Sequence, residues 1–191
     1  LLVQNVNHLH PQVEALLHQF SFIPYARLDD VMVSYAPPQG GIGAHIDSYD
    51  VFLLQGMGCK EWQIARYYDP TLLSDCPLKI LQNFAAEETY ILEPGDLLYL
   101  PPSYAHYGTA IEAGMTYSIG FRAPSTQELS QAFLMYLQDN LQLHGMYADP
   151  DLSVQSTPAR ISAQMQEKCR AQLAKIAWDD ALLKTFLGCY L

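Results

Sequence analysis

The sequence predicts a mainly β domain with helices at its C-terminal end, and three observations carry that prediction. Short apolar or β-branched runs recur between turn-forming stretches: residues 28–36, 51–55, 60–65, 89–92, 97–100 and 117–121. From Thr126 onward the apolar spacing changes from two to the helical period. A His-x-Asp pair, His45 and Asp47, opens the most apolar run, and a third candidate ligand, His106, follows residues 97–100. Strands of this length with such a trio suggest an antiparallel double-stranded β-helix, or jelly roll, whose mouth holds a metal. We therefore divide the chain into a β domain over residues 1–125 and a helical region over 126–191.

Composition bounds the reading. In 191 residues, 50% are hydrophobic, 12% aromatic and 16% charged, enough apolar material for one sizeable core. A net charge of −10 argues against non-specific nucleic-acid binding and suits a basic partner. The cysteines Cys59, Cys76, Cys169 and Cys189 form no C-x-x-C spacing and read as reduced thiols. No apolar run approaches the roughly 20 residues that span a bilayer, and no secretory leader is visible, so a cytoplasmic location is expected. The chain starts at Leu1 without a methionine and stops at Cys-Tyr-Leu, so both ends read as cut.

Taken in order, the opening residues lead to a helix from Pro11, with Val13, Leu16, Leu17 and Phe20 at helical spacing. His8, His10 and His18 lack a carboxylate at useful spacing and read as surface or capping residues. Residues 28–36 form a strand with Asp30, Met32 and Ser34 on one face and Val31, Val33 and Tyr35 on the other. The turn-rich PPQGGIG then precedes His45 and Asp47, which an extended chain would point to the same side. Residues 60–65 read as a hairpin partner of 51–55 across Gly56-Met57-Gly58. Their alternation sets Lys60, Trp62 and Ile64 on one face. Burying an unpaired ammonium costs several kcal/mol, so an inward Lys60 calls for an anionic ligand. Residues 67–86 read as a long loop, and Pro94-Gly95 sets a tight turn before 97–100. In the last strand Thr116 and Ser118 lie opposite Tyr117 and Ile119. Thr126 is the expected cap of a helix carrying Leu129, Phe133, Leu134, Leu137 and Leu141, and Gly145 stops it. Further helices are expected over about 159–176 and 179–186. Such apolar stripes need a partner surface, and a homodimer is the expectation.

Two imidazoles and one carboxylate make the facial set that leaves open positions on a non-haem Fe(II). With Asp47 present, rather than a small residue that would admit a halide, hydroxylation or demethylation is the expected chemistry.

In the setting G-x-H-x-D-x-Y-D-V-F-x-x-Q-G, with EPGDLLYLPPSYAH and YSIGFRAP, the chain resembles the JmjC-type 2-oxoglutarate oxygenases of the cupin superfamily. It is most similar to the bacterial ribosomal oxygenases, which hydroxylate an arginine β-carbon in a large-subunit ribosomal protein. The resemblance covers nearly the whole chain. It implies that His45, Asp47 and His106 bind Fe(II), and that Lys60 holds the distal carboxylate of 2-oxoglutarate. It further implies that Ser34 and Thr116 contact this co-substrate, and that O2 is consumed. Lys60 stands where the bacterial arginyl hydroxylases carry Arg, Thr116 where the family often has Asn. Ser103 replaces the second glycine of the cupin-like pattern G-x5-P-x-G-x2-H. For an arginine substrate, Asp30 is the candidate partner of the guanidinium. A histidyl hydroxylase, a small-molecule cupin enzyme without 2-oxoglutarate, and a non-catalytic cupin binding module are the alternatives.

Overall fold

The longer central strands each have an apolar face to hide, and the chain hides them by alternating between two sheets. The computed structural model describes Leu1–Leu191. The first sheet contains β1 (Leu2–Val3), β2 (Leu28–Ala36), β4 (Val51–Met57), β7 (Leu97–Leu100) and β9 (Gly114–Phe121), in the order β1-β2-β9-β4-β7. The second contains β3 (His45–Ile46), β5 (Lys60–Ala65), β6 (Glu88–Leu92) and β8 (Ala105–Ala110), in the order β3-β8-β5-β6. All pairings are antiparallel. The chain thus crosses between sheets at 2→3, 3→4, 4→5, 6→7, 7→8 and 8→9, as a double-stranded β-helix requires.

This corrects one local expectation. Residues 51–57 and 60–65 are not a hairpin: β4 pairs with β7 and β9, whereas β5 pairs with β6 and β8. The intervening Gly58 has φ +65°, and a Cβ there would lie 2.4 Å from the Ala113 carbonyl oxygen, so the bend is tight and admits only glycine. Burial explains the crossing. Facing each other across the sandwich, Val51 and Leu53 pack with Trp62, Ile64, Leu92 and Leu100 in one core. Each such side chain contributes about 1.5–3 kcal/mol when buried. The Glu93–Asp96 turn likewise joins strands of different sheets, with Gly95 at φ +99° and the Asp96 N–H donating to Glu93 O at 2.9 Å.

The outer face of the first sheet is covered by α1 (Pro11–His18), which has proline in its first turn. Its Val13 and Leu17 join Phe20, Leu28, Val31, Ile119 and Phe121 in a second core. His8, His10 and His18 are exposed, as expected of surface residues.

Strand β8 was not anticipated. Its sequence, AHYGTA, lacks a β-branched run and contains a glycine, and it is held as a strand by β5 and β3 on its two sides. The bend before it is made by Ser103 in the left-handed region, φ +67°, with its N–H donating to Asp47 O at 2.9 Å. The serine keeps the glycine-like conformation at a steric cost. Ser103→Gly is expected to stabilise the protein by up to about 1 kcal/mol in urea unfolding, with metal binding unchanged. A loss of stability would show that the serine side chain contributes something the backbone does not explain.

The chain divides into two compact units, Leu1–Ala123 and Pro124–Leu191. The second holds α2 (Thr126–Asn140), α3 (Ala163–Leu173) and α4 (Asp180–Tyr190). The cap of α2 is Ser125 rather than Thr126. Its hydroxyl accepts from the Glu128 N–H, and the Glu128 carboxylate accepts from the Ser125 N–H at 2.8 Å, a reciprocal box that Thr126 could not close. Helix α3 is shorter than expected. Phe186 is the buried centre of this unit, against Phe133, Tyr136 and Tyr190, with Phe133 also touching Trp178. Of the expected stripe on α2, Leu137 is buried and Leu134 is 64% exposed. No helix is long and apolar enough to cross a membrane.

Candidate functional site

The site lies between the sheets at the end where β3 pairs with β8. That pairing sets His45 directly opposite His106, with ring centroids 4.2 Å apart. Asp47 follows two residues after His45, and its carboxylate reaches to 3.7 Å from His106 Nε2. One potential ligand atom from each residue lies within 4.8 Å of the other two.

The tautomers follow from the backbone. His45 Nδ1 is 3.0 Å from Gly43 O, and His106 Nδ1 is 3.1 Å from Tyr104 O. A carbonyl only accepts, so each Nδ1 carries the proton and each Nε2 keeps its lone pair. His106 is buried, and burial, reinforced by His45, pushes its pKa below the usual histidine value and keeps it neutral. Two neutral imidazoles and one carboxylate fit a divalent transition metal and would leave one net positive charge on it.

Beyond the trio a cavity of about 310 Å³ opens. The face of β2 bearing Asp30, Met32 and Ser34 lines it, as do Thr116 and Ser118 of β9. The register pairs Ser34 with Thr116 and Met32 with Ser118, so the two predicted polar faces meet there. An irregularity between Leu28 and Val31 interrupts the ladder at Asp29 and Asp30. Asp29 pairs with Arg122 at 3.3 Å, and Asp30 accepts from the Asn5 N–H at 2.8 Å. Tyr49 lines the same cavity, and burial together with Asp47, Asp30 and Asp29 raises its phenol pKa, so it stays protonated.

Lys60 does point inward. It is 9% exposed, its Nζ lies 4.4 Å from the Trp62 ring centroid and 3.5 Å from Thr116 Oγ1, and no carboxylate pairs with it. Burial alone lowers its pKa to about 8. Trp62 Nε1 is buried with no hydrogen-bond partner. A buried ammonium that no carboxylate of the protein pairs with, and a buried indole N–H without a partner, therefore stand on two residues that line this cavity.

Two contributors escaped the sequence reading. Gln55 is 1% exposed and accepts a hydrogen bond from Thr116. A buried polar residue within VFLLQ is the signal that could have found it. Gly108 is the second: a Cβ there would lie 2.6 Å from Lys60 Cε and 2.8 Å from the Trp62 ring, so the glycine makes room for both. No sequence signal marks that contact, because it spans two strands.

Fold and site together define a double-stranded β-helix whose mouth carries a candidate metal trio beside an unpaired buried ammonium. The chain belongs to the JmjC domain family, whose model matches residues 15–129. It is 38% identical to the ribosomal protein uL16 3-hydroxylase of Escherichia coli (strain K12), over 98% of this chain and 51% of that protein. It is 36% identical to a probable ribosomal oxygenase of Haemophilus influenzae, over 87% of this chain and 40% of that one. The X-ray structure of E. coli ycfD superposes with a TM-score of 0.83 at 38% identity, covering 98% of this chain and 50% of that one. The E. coli ribosomal oxygenase YcfD in complex with cobalt and 2-oxoglutarate superposes with a TM-score of 0.77 at 37% identity, covering 98% and 49%. The chain thus spans about half the length of these relatives.

Proposed function

We propose that this chain is the catalytic part of an Fe(II)- and 2-oxoglutarate-dependent protein hydroxylase whose substrate is an arginine β-carbon in a large-subunit ribosomal protein. The observation that carries the oxygenase reading is the sharing of one cavity by the His45, Asp47, His106 trio and the unpaired ammonium of Lys60. The relative named for uL16 3-hydroxylation, and the ribosomal oxygenase solved with cobalt and 2-oxoglutarate and with cobalt and succinic acid, support it.

With iron, co-substrate and O2 bound, the centre supplies the oxidising power to insert one oxygen atom into a C–H bond while 2-oxoglutarate becomes succinate and CO2. The chain's own residues do the rest. His45 and His106 present Nε2 lone pairs because Gly43 O and Tyr104 O hold their other protons. Asp47 supplies the anionic ligand. Lys60 offers its ammonium to the distal carboxylate of the co-substrate, with Ser34 and Thr116 beside it. Val51, Leu53 and Trp62 form a dry wall of the cavity, which strengthens that charge pairing. Asp30 is the carboxylate for a substrate guanidinium, which matches it with a planar fork of donors, and this favours arginine over histidine.

Gly108→Ala is expected to raise the 2-oxoglutarate requirement by about tenfold or more, because the methyl would force Lys60 and Trp62 aside. Binding of Mn(II) at the trio should be unaffected. Equal co-substrate KM values for parent and variant would count against the Lys60 assignment.

The setting would be the cytoplasm, where ribosomal proteins are made and where free thiols such as the four cysteines here stay reduced. The net charge of −10 favours a basic protein substrate over nucleic acid. Exposed Leu134 and Met135 on α2 are the surface through which a homodimer would form, and residues 126–191 would be the dimerisation region. The deciding experiment is mass spectrometry of ribosomal proteins from cells with and without the gene. Loss of a single-oxygen addition on one arginine is the expected result. Identical ribosomal proteins in both strains would remove the substrate and leave the oxygenase reading to be judged by succinate formation.

A further inference from the structure

We propose that Gln55 is a positioning residue for the anion-binding end of the cavity. It directs the Thr116 hydroxyl proton away from Lys60, so that Thr116 anchors the ammonium and does not itself donate to the ligand. This rests on the reading of Lys60 as the group that receives a carboxylate.

Hydrogen-bond accounting around Gln55 permits one arrangement. Its Nε2 lies 2.9 Å from Met57 O and 3.1 Å from Gly58 O, two carbonyls that can only accept. The amide nitrogen must face them, because the flipped amide would set Oε1 against both carbonyls. Gln55 Oε1 is then turned toward Thr116 Oγ1, 3.0 Å away. A hydroxyl has one proton, and Oε1 has none, so Thr116 donates to Gln55. What Thr116 offers to Lys60 Nζ, 3.5 Å away, is a lone pair.

The result is a chain of donors with fixed direction: Lys60 to Thr116, Thr116 to Gln55, and Gln55 to the backbone of the crossover from β4 to β5. The consequence is functional. An ammonium on a flexible four-carbon stem has no planar fork to hold its orientation. With one N–H directed at Thr116, the other two are free for a carboxylate. The Thr116 proton is committed, so Thr116 acts through Lys60. Ser34, whose hydroxyl makes only a long 3.5 Å bond to Thr116 O, is the hydroxyl left to donate to the ligand directly. The same Gln55 amide ties down Met57 and Gly58, so one side chain fixes both the backbone that carries Lys60 and the amine at its end.

The test uses the chain loaded with Mn(II) for calorimetry and with diamagnetic Zn(II) for NMR, and four variants: Gln55→Leu, Thr116→Val, Thr116→Ser and the double variant Gln55→Leu/Thr116→Val. Calorimetry reads 2-oxoglutarate affinity, and nitrogen-15 NMR reads the Lys60 ammonium protons in ligand-free protein, assigned by their loss in Lys60→Met. Gln55→Leu and Thr116→Val should each weaken binding about tenfold, Thr116→Ser should stay near the parent, and the double variant should be no weaker than Thr116→Val alone. The ammonium signal should persist in Thr116→Ser and disappear in the other three. Additive losses in the double variant, or an ammonium signal indifferent to Gln55, would overturn the proposal. If Gln55→Leu fails to fold, judged by loss of Mn(II) binding, the Thr116 hydroxyl proton located by neutron diffraction of the unaltered protein decides. Its position on the Gln55 side supports the proposal, and any other position refutes it. The ammonium and proton readouts need no co-substrate. A parent chain that shows both and yet does not bind 2-oxoglutarate would refute the co-substrate reading and leave the hydrogen-bond order standing.

Discussion

Lys60→Ala is expected to raise the 2-oxoglutarate concentration for half-maximal succinate formation by about a hundredfold or more, because a carboxylate in this cavity would lose its buried charge partner. Mn(II) binding at the trio should be retained, and unchanged co-substrate-coupled turnover would sink the assignment. The same residue should show the opposite sign in stability. Its folded pKa of about 8 lies below the ordinary lysine value of 10.5, so the charged form is disfavoured by folding. Between about pH 8 and 10.5 the unfolded chain binds more protons than the folded one, and stability of the ligand-free protein should rise with pH across that window. Lys60→Met removes this dependence and should stabilise the ligand-free protein at neutral pH by on the order of 1–3 kcal/mol. Co-substrate affinity runs the other way. Binding needs the ammonium, so above pH 8 affinity should fall, approaching tenfold per pH unit. A residue that weakens the empty protein and strengthens the loaded one is held for its ligand.

Asp47→Ala should abolish hydroxylation by removing metal. The carboxylate is the only anionic ligand of the trio, and without it two imidazoles remain as ligands. The change also removes the attraction that favours protonation of His106, so that ring stays neutral and the defect is one of affinity rather than of a charged histidine. In the parent, Mn(II) at a hundred times its dissociation constant should add about 2.7 kcal/mol to stability, and a chelator should reverse this. Asp47→Ala should show no such stabilisation at the same concentration. A metal-dependent shift equal to that of the parent would mean that the ion sits elsewhere.

Local chemistry carried a large part of this protein in the sequence alone. The alternation in residues 60–65 grouped Lys60, Trp62 and Ile64 on one face, and the structure buries all three. Period two in residues 28–36 grouped Asp30, Met32 and Ser34 on the face that lines the cavity. The His-x-Asp spacing and the turn before His106 named the three residues that converge. Each of these depends on an interval of a few residues, which strand geometry converts directly into direction.

The tertiary structure decided what depends on distant neighbours. The partner of β4 was misread because a glycine turn looks alike whether the chain returns to its own sheet or crosses to the facing one. Burial of Val51 and Leu53 against Trp62 and Ile64 chose the crossing. Strand β8 has little intrinsic preference for extension, and its two flanking strands impose it. Gly108 matters only because Lys60 and Trp62 lie across from it, and Gln55 only because Thr116 comes from a strand 61 positions later. The converging trio is thus written in local spacing, whereas the cavity beside it exists only once the sheets have closed.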